Sequence, residues 1–326
     1  MKIALPRSGC FHASYPSYAW KSVACSTPPN NVYPLSEARR MQIAAETSAV
    51  AGGQNVGNGT DYTADTSPNV MSEAIGSFPA VSGVTSVDSV ENPEFGDGGE
   101  YGTNSYTLQL NSYFFSTSAC GTIKNCAGWE QFVYENPPGK SGGELFIQDW
   151  LVPTTTKGLS GCPKSAGWES VDGGCVQNSK AIGVPNQAIT GLSGISETGE
   201  AASSGDSIYL SSGSDVYGMQ KIQGDGITDL SAHWEGAEFN VIGNADGAIA
   251  NFNSGSSITV SLEANDGVLT APACPGGSGT TGESNNLGFS SPPVSPSKEE
   301  YPSILFTESS PASGVVACDA LAGSGI

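Results

Sequence analysis

Apolar and polar residues alternate with a period of two over many short stretches, and Gly, Pro, Asn and Ser clusters separate them. The densest run is Trp234 to Val260. Read as a strand, Trp234 to Ile242 places Ala237, Phe239 and Val241 on a core side and Trp234, Glu238, Asn240 and Ile242 on the other. Glu238 is thereby expected on an open face beside Asn240, near Trp234, with Glu235 at the strand entrance. In Tyr106 to Phe114, Tyr106, Leu108 and Leu110 share one side, and Thr107, Gln109 and Asn111 the other. Trp129, Gln131 and Val133 alternate with Glu130, Phe132 and Tyr134; a Pro-Pro-Gly turn follows, and Glu144 to Val152 returns as the partner strand of a hairpin. In that strand Phe146, Gln148, Trp150 and Val152 oppose Leu145, Ile147, Asp149 and Leu151. Gln148, set between two aromatics, is an amide able to orient a ligand or donate to an oxyanion.

Further strands are expected at Gly205 to Leu210 and Val216 to Lys221 around a Ser-Gly-Ser turn, and at Pro302 to Thr307 and Gly314 to Ala317. The one helix is expected over Ser36 to Glu46, with Ser36 as cap and Ala38, Met41, Ala44 and Ala45 as an apolar stripe. Asn58-Gly59-Thr60 is a glycosylation sequon in a polar connection. Residues 1–66 are thus expected to form an irregular N-terminal extension with one helix, and residues 67–326 a β-sandwich domain. The latter includes a Pro/Gly/Ser-rich surface loop at 271–300.

Eight cysteines allow about 105 connectivities, and the short intervals favour Cys10–Cys25, Cys120–Cys126 and Cys162–Cys175, leaving Cys274 for Cys318. Such pairing points to an oxidising compartment and a secreted, extracellular protein. No signal-like segment stands at Met1 and no span is long enough to cross a membrane, so the mature chain is expected to follow a removed signal. With only His12 and His233 and no CxxC spacing, no metal site is expected.

Composition adds two constraints. The 43 glycines, 20 prolines and 13% charged residues suit short strands and many turns. A net charge of -20, from 12 basic against 32 acidic side chains, opposes binding to nucleic acid or anionic lipid. The same balance suits acid surroundings, and equally a secreted protein kept soluble by charge.

The order Trp129-Glu130-Gln131-Phe132, Leu145-Phe146-Ile147-Gln148, Gly205-Asp206-Ser207-Ile208 and Ala237-Glu238-Phe239 resembles the order of landmarks in the glutamic peptidases called eqolisins. The stretch from Phe146 through Trp150 to Cys162 is fainter in its likeness to the neprosins. The FIQDWL and AEFNV phrases resemble those of certain secreted bacterial proteins. The family phrase Trp-x-Gly-Ile-Asp-Gly stands here as Trp129 to Tyr134, and the second neprosin glutamate is replaced at Gln148, so only Gln148 and Glu238 carry over as catalytic residues. The resemblance implies an all-β fold, a concanavalin-like double antiparallel β-sandwich. It implies a secreted, acid-acting endopeptidase that needs no cofactor, with Glu238 as general base and Gln148 orienting water and holding the oxyanion. Trp129, Gln131, Phe146, Trp150, Trp234 and Asn240 are then expected to bind a polypeptide substrate on a monomer. The rival readings are a non-catalytic carbohydrate-binding, lectin-like sandwich for polysaccharide and a structural extracellular protein. A serine triad lacks a Gly-x-Ser-x-Gly partner for either histidine.

Overall fold

A computed structural model of the chain describes residues 4–17, 19–33, 55–57, 61–93, 99–155, 157–164, 167–222, 228–290, 299–314 and 317–325. The expected helix at Ser36 to Glu46 and the Asn58 sequon lie outside them. The described chain is an all-β sandwich of two mostly antiparallel sheets. Its strands run β1 (Gly9–Ser14), β2 (Lys21–Val23), β3 (Asn55–Gly57), β4 (Thr63–Asp65), β5 (Glu73–Ser82), β6 (Val87–Val90) and β7 (Gly102–Thr103). Next come β8 (Tyr106–Ser112), β9 (Cys126–Asn136), β10 (Gly142–Pro153), β11 (Glu169–Val171), β12 (Gly174–Asn178) and β13 (Ile182–Pro185). Then follow β14 (Ile195–Glu200), β15 (Ser207–Ser212), β16 (Asp215–Gln220), β17 (Gly236–Ile242), β18 (Ile249–Phe252) and β19 (Ser257–Asn265). The last are β20 (Ser284–Phe289), β21 (Ser303–Ser309) and β22 (Cys318–Leu321).

The larger sheet has the order β2-β1-β16-β15-β14-β5-β19-β21-β20-β18-β6-β7, with β22 beside β21 and β3 beside β20. The smaller sheet runs β11-β12-β10-β9-β8-β17-β4, with β13 also on β10. The hairpin expected around Trp129 is β9–β10, closed by a turn in which Gly139 takes a φ of 66°.

The two sheets close on an apolar layer built by the alternating residues. Leu108, Leu110, Phe132, Leu145, Ile147, Ala237, Phe239 and Val241 of the smaller sheet meet Phe78, Ile208, Leu210, Val260, Leu262 and Ile304 of the larger. Close approach depends on glycine within strands: a Cβ on Gly76 would lie 2.2 Å from the Phe239 ring, and one on Gly199 would lie 2.7 Å from Phe132.

Several expectations are corrected. The lead-in is not irregular where β1 forms, since Gly9 to Ser14 pairs with Asp215 to Gln220 and joins the larger sheet. Trp234 does not begin a strand. It follows a 3-10 turn at Leu230–Ala232, two residues before β17, and its fully buried ring stacks on Phe132 with centroids 5.5 Å apart. It therefore belongs to the core and walls no groove. The Gly/Ser-rich stretch after Cys274 is no surface loop: Thr280, Thr281 and Glu283 are buried, and β20 follows within the large sheet. The last strand starts at Cys318.

All four favoured cysteine pairs are bonded: Cys10–Cys25, Cys120–Cys126, Cys162–Cys175 and Cys274–Cys318. They fit an extracellular protein. Among the described residues, no helix is long and apolar enough to cross a membrane.

Candidate functional site

The face of the smaller sheet turned away from the core carries an unusual set of side chains. Registers across four neighbouring strands align Gln148 of β10 with Gln131 of β9, Gln131 with Asn111 of β8, and Asn111 with Glu238 of β17. Asn178 of β12 extends this row beyond Gln148, and Thr63 of β4 extends it beyond Glu238. Residues directly opposite in a ladder point to one face, so the two carried-over residues share it. They are three strand spacings apart, about 14 Å.

Glu238 is held asymmetrically. Its Oε2 accepts from the backbone N–H of Thr280 (2.7 Å) and Thr281 (3.4 Å), the Thr280 hydroxyl (2.9 Å) and the Asn111 amide (3.3 Å). Its Oε1, equally buried, has no hydrogen-bond partner among the described residues. It lies against Asp61 and Gly279. Asp61 in turn accepts from Asn240 Nδ2 at 2.9 Å, and Asn240 also reaches Glu308 at 3.4 Å. Burial, reinforced by the charges of Glu238 and Glu308, pushes the Asp61 carboxyl well above its ordinary range. Burial likewise pushes Glu308 up to about 8 and Glu283 up to about 7.

The amides between the two ends of the row form one network. Trp150 Nε1 donates to both Gln131 Oε1 (2.9 Å) and Gln148 Oε1 (2.8 Å), and Gln131 Nε2 donates to Gln109 Oε1 (3.0 Å). Gln109 also accepts from Thr281 at 2.9 Å. Trp129 donates through Nε1 to Thr280 at 3.1 Å, which ties the aromatic end of the row to the strap over Glu238.

The face was expected to be open, and it is not. Gln148 is 0% and Glu238 1% exposed. Two stretches of the chain's own backbone cover them: residues 276–283 lie over Glu238, and residues 29–33 lie over Gln148. The Gln148 side chain grips the second stretch at both ends of its amide, accepting from Tyr33 N (3.0 Å) and donating to Asn31 O (3.2 Å). Phe146 packs against the Tyr33 ring at 6.4 Å between centroids. Of the expected substrate-binding residues, Trp129, Gln131, Phe146, Trp150 and Asn240 stand on this face; Trp234 does not.

Asn111, Gln109, Asp61 and the Thr280–Thr281 strap escaped sequence reasoning. Asn111 and Gln109 were visible as the polar side of a half-buried strand, while nothing local marks Asp61 or Thr280. On the opposite side of β9 and β10, Lys221 Nζ sits among Asp149 (2.8 Å), Glu130 (3.1 Å) and Asp206 (3.2 Å), all buried. Its ammonium takes the centre of that cluster. Among the described residues, no group of three or more His, Cys, Asp or Glu is placed to hold a metal ion.

No protein-family model, curated protein or solved structure matches this chain.

Proposed function

We propose that the chain is a glutamic-type endopeptidase acting in acid. The observation that carries this is the cross-strand row of Glu238, Asn111, Gln131 and Gln148 on one sheet face. Glu238 Oε1 is the basic atom. With Oε2 fixed by four donors and Oε1 without a hydrogen-bond partner among the described residues, Oε1 is the oxygen that meets a water once the strap carrying Gly279 lifts from it. The water's oxygen bonds to the peptide carbonyl carbon as its proton passes to Oε1; the C–N bond then breaks and the proton goes to the leaving amine.

The 14 Å spacing divides the labour differently from a close Glu/Gln pair. Asn111 stands directly opposite Glu238 and already donates to its Oε2, so it is the donor for the developing oxyanion. Gln148 lies about four extended residues away along a peptide laid across the strands. It binds substrate backbone there, as it binds residues 31 and 33. The tryptophans at this face, Trp129 and Trp150, are buried with their N–H groups committed to Thr280, Gln131 and Gln148, which favours amide recognition over sugar stacking.

The test is digestion of a denatured polypeptide at about pH 4 by the wild-type chain and by an Asn31→Gly/Tyr33→Gly/Gly279→Ala variant that loosens the cover over both Gln148 and Glu238. Cleavage by the variant, insensitive to chelators and lost on adding Glu238→Gln, is expected. Absence of cleavage by both across the acid range, or cleavage that survives Glu238→Gln, sinks the reading.

A further inference from the structure

Residues 29–33 bind to the sheet face as a ligand would. They belong to neither sheet. Their main chain is read by side-chain amides and one loop N–H: Asn178 Nδ2 donates to Pro29 O (3.1 Å), Gln148 brackets Asn31 O and Tyr33 N, and Asp246 N donates to Val32 O (3.1 Å). The side chains divide. Val32 packs beside Trp129 and Trp150, and Tyr33 fills a pocket of Val133, Phe146, Ala181 and Ala245. At the pocket's end the phenol donates toward Glu135 Oε2 (3.3 Å) and Asn244 Oδ1 (3.2 Å), and Asn31 Nδ2 reaches the other Glu135 oxygen at 3.0 Å.

Two features mark a built site. Glu135 is a buried carboxyl at the end of an otherwise apolar pocket, pushed up to about 7 by burial and by Glu100. A hydroxyl is the natural group for its Oε2 to meet, and an alkyl or phenyl side chain would remove that hydrogen bond and leave Asn31 on the other oxygen. The wall is also held in a costly conformation: Ala245 and Asp246 are consecutive non-glycine residues with φ of 65° and 48°. That turn aims the Asp246 N–H at Val32 O, and strain of this kind collects at ligand clamps.

We infer that this is a subsite for a tyrosyl side chain of an extended polypeptide, and that Pro29 to Tyr33 occupies it in cis as a displaceable peptide. The inference deepens the peptidase reading, since it names a substrate feature read some residues from Glu238. It needs only that the face bind peptide, whether or not it cuts.

The test uses the full chain carrying Tyr33→Ala and Glu238→Gln, so that binding is measured without turnover. The probe is a fluorescent peptide of the sequence Pro-Asn-Asn-Val-Tyr, followed by anisotropy. Saturable binding is expected, at least about tenfold tighter than to the same chain retaining Tyr33, because the tethered segment competes at millimolar effective concentration. Replacing tyrosine by phenylalanine in the probe is expected to weaken binding about tenfold. A folded variant that binds no probe, or that binds both probes alike, overturns the inference. Should Tyr33→Ala fail to fold, hydrogen exchange of the wild type decides: the Tyr33 amide is expected to exchange at least about a hundredfold faster than the β9–β10 ladder amides, through local release of the segment. Exchange at the ladder's rate makes Tyr33 a piece of the core and overturns the inference. Probe binding without peptide hydrolysis by the loosened chain leaves this subsite standing and removes the peptidase.

Discussion

Gly279 and Glu238 are packed so closely that a methyl group on Gly279 would lie 2.5 Å from Glu238 Oε1 and 3.0 Å from the Asp61 Cβ. The missing side chain is what lets the 276–283 strap lie flat on the acid and present the Thr280 and Thr281 N–H groups to its other oxygen. Gly279→Ala is therefore expected to lift the strap, costing about 1–3 kcal/mol as an overpacked site does. Urea unfolding measures this, and an unchanged midpoint would mean the strap does not hold the carboxylate.

The strap is also tied at its start. Cys274–Cys318 closes a separation of 44 residues immediately before it. Chain entropy alone gives such a link up to about 4 kcal/mol. Replacing both cysteines by serine is expected to approach that loss, and to speed amide exchange at Thr280 and Thr281 more than in β9 and β10. Uniform acceleration across all these amides would deny the bond a local role at the strap.

Much of this arrangement was readable beforehand, and the unreadable part has a single cause. Strand alternation placed Gln131 and Gln148 on one side and Phe132 and Ile147 on the other, and the cysteine intervals named the partners. An alternating polar side, however, reads as a solvated side. Gln109, Asn111 and Glu238 are instead covered by Pro/Gly/Ser- and Asn-rich backbone that has no period of its own. Covering segments of that kind are made of the same residues as surface loops. What distinguishes them is long-range hydrogen bonding, such as Gln148 to Asn31, which no local pattern carries. Trp234 escapes the pattern for a related reason: the period-two alternation extends two residues N-terminal to β17, where the chain is still leaving a 3-10 turn.

Buried carboxyls set the pH dependence of stability. Glu135, Glu263 and Glu283 are raised to about 7 and Glu308 to about 8, in each case chiefly by burial. Unfolded, such groups titrate near about 4.3. Each raised group binds a proton more tightly in the folded chain, so its contribution is fully present below the unfolded value and is lost as pH rises through the folded value. Every group half-way through this window adds a slope of about 1.4 kcal/mol per pH unit. The melting temperature is expected to be highest near about pH 4 and to fall by several degrees by about pH 8. A profile that rises over that window would contradict it.

Lys221 opposes the same trend at one place. Burial alone would lower its pKa, but Asp149, Glu130 and Asp206 hold the ammonium well above its ordinary value. Glu130 is itself pushed up, first by burial and then by Asp206. Lys221→Met keeps the aliphatic stem and removes the only cation that, among the described residues, pairs with these three buried carboxyl groups. Loss of one partner from a buried ionic cluster costs about 3–5 kcal/mol. Because the Glu130 carboxyl, pushed up by its burial, can take a proton, the gap to wild type is expected to shrink as pH falls toward about 4. A deficit that is constant from acid to neutral pH would show that packing of the lysine stem, and not its charge, supports β9 and β10.

The distance between Gln148 and Glu238 makes the last prediction the sharpest for function. If Gln148 were an oxyanion donor, removing its amide would lower kcat by about a hundredfold or more with KM little changed. Three strand spacings from Glu238, the base in the proposed reaction, it is expected instead to bind backbone remote from the scissile bond. In the Asn31→Gly/Tyr33→Gly/Gly279→Ala background, Gln148→Ala should therefore raise KM several-fold for peptides long enough to reach it while leaving kcat within a few-fold. For a substrate too short to span the row, the same variant should change neither constant. Asn111→Ala should behave in the opposite way, lowering kcat for long and short peptides alike, because its amide already touches Glu238 Oε2. Measuring both constants for one long and one short peptide separates the two roles. A collapse of kcat in Gln148→Ala on the short substrate would return the glutamine to the reacting centre.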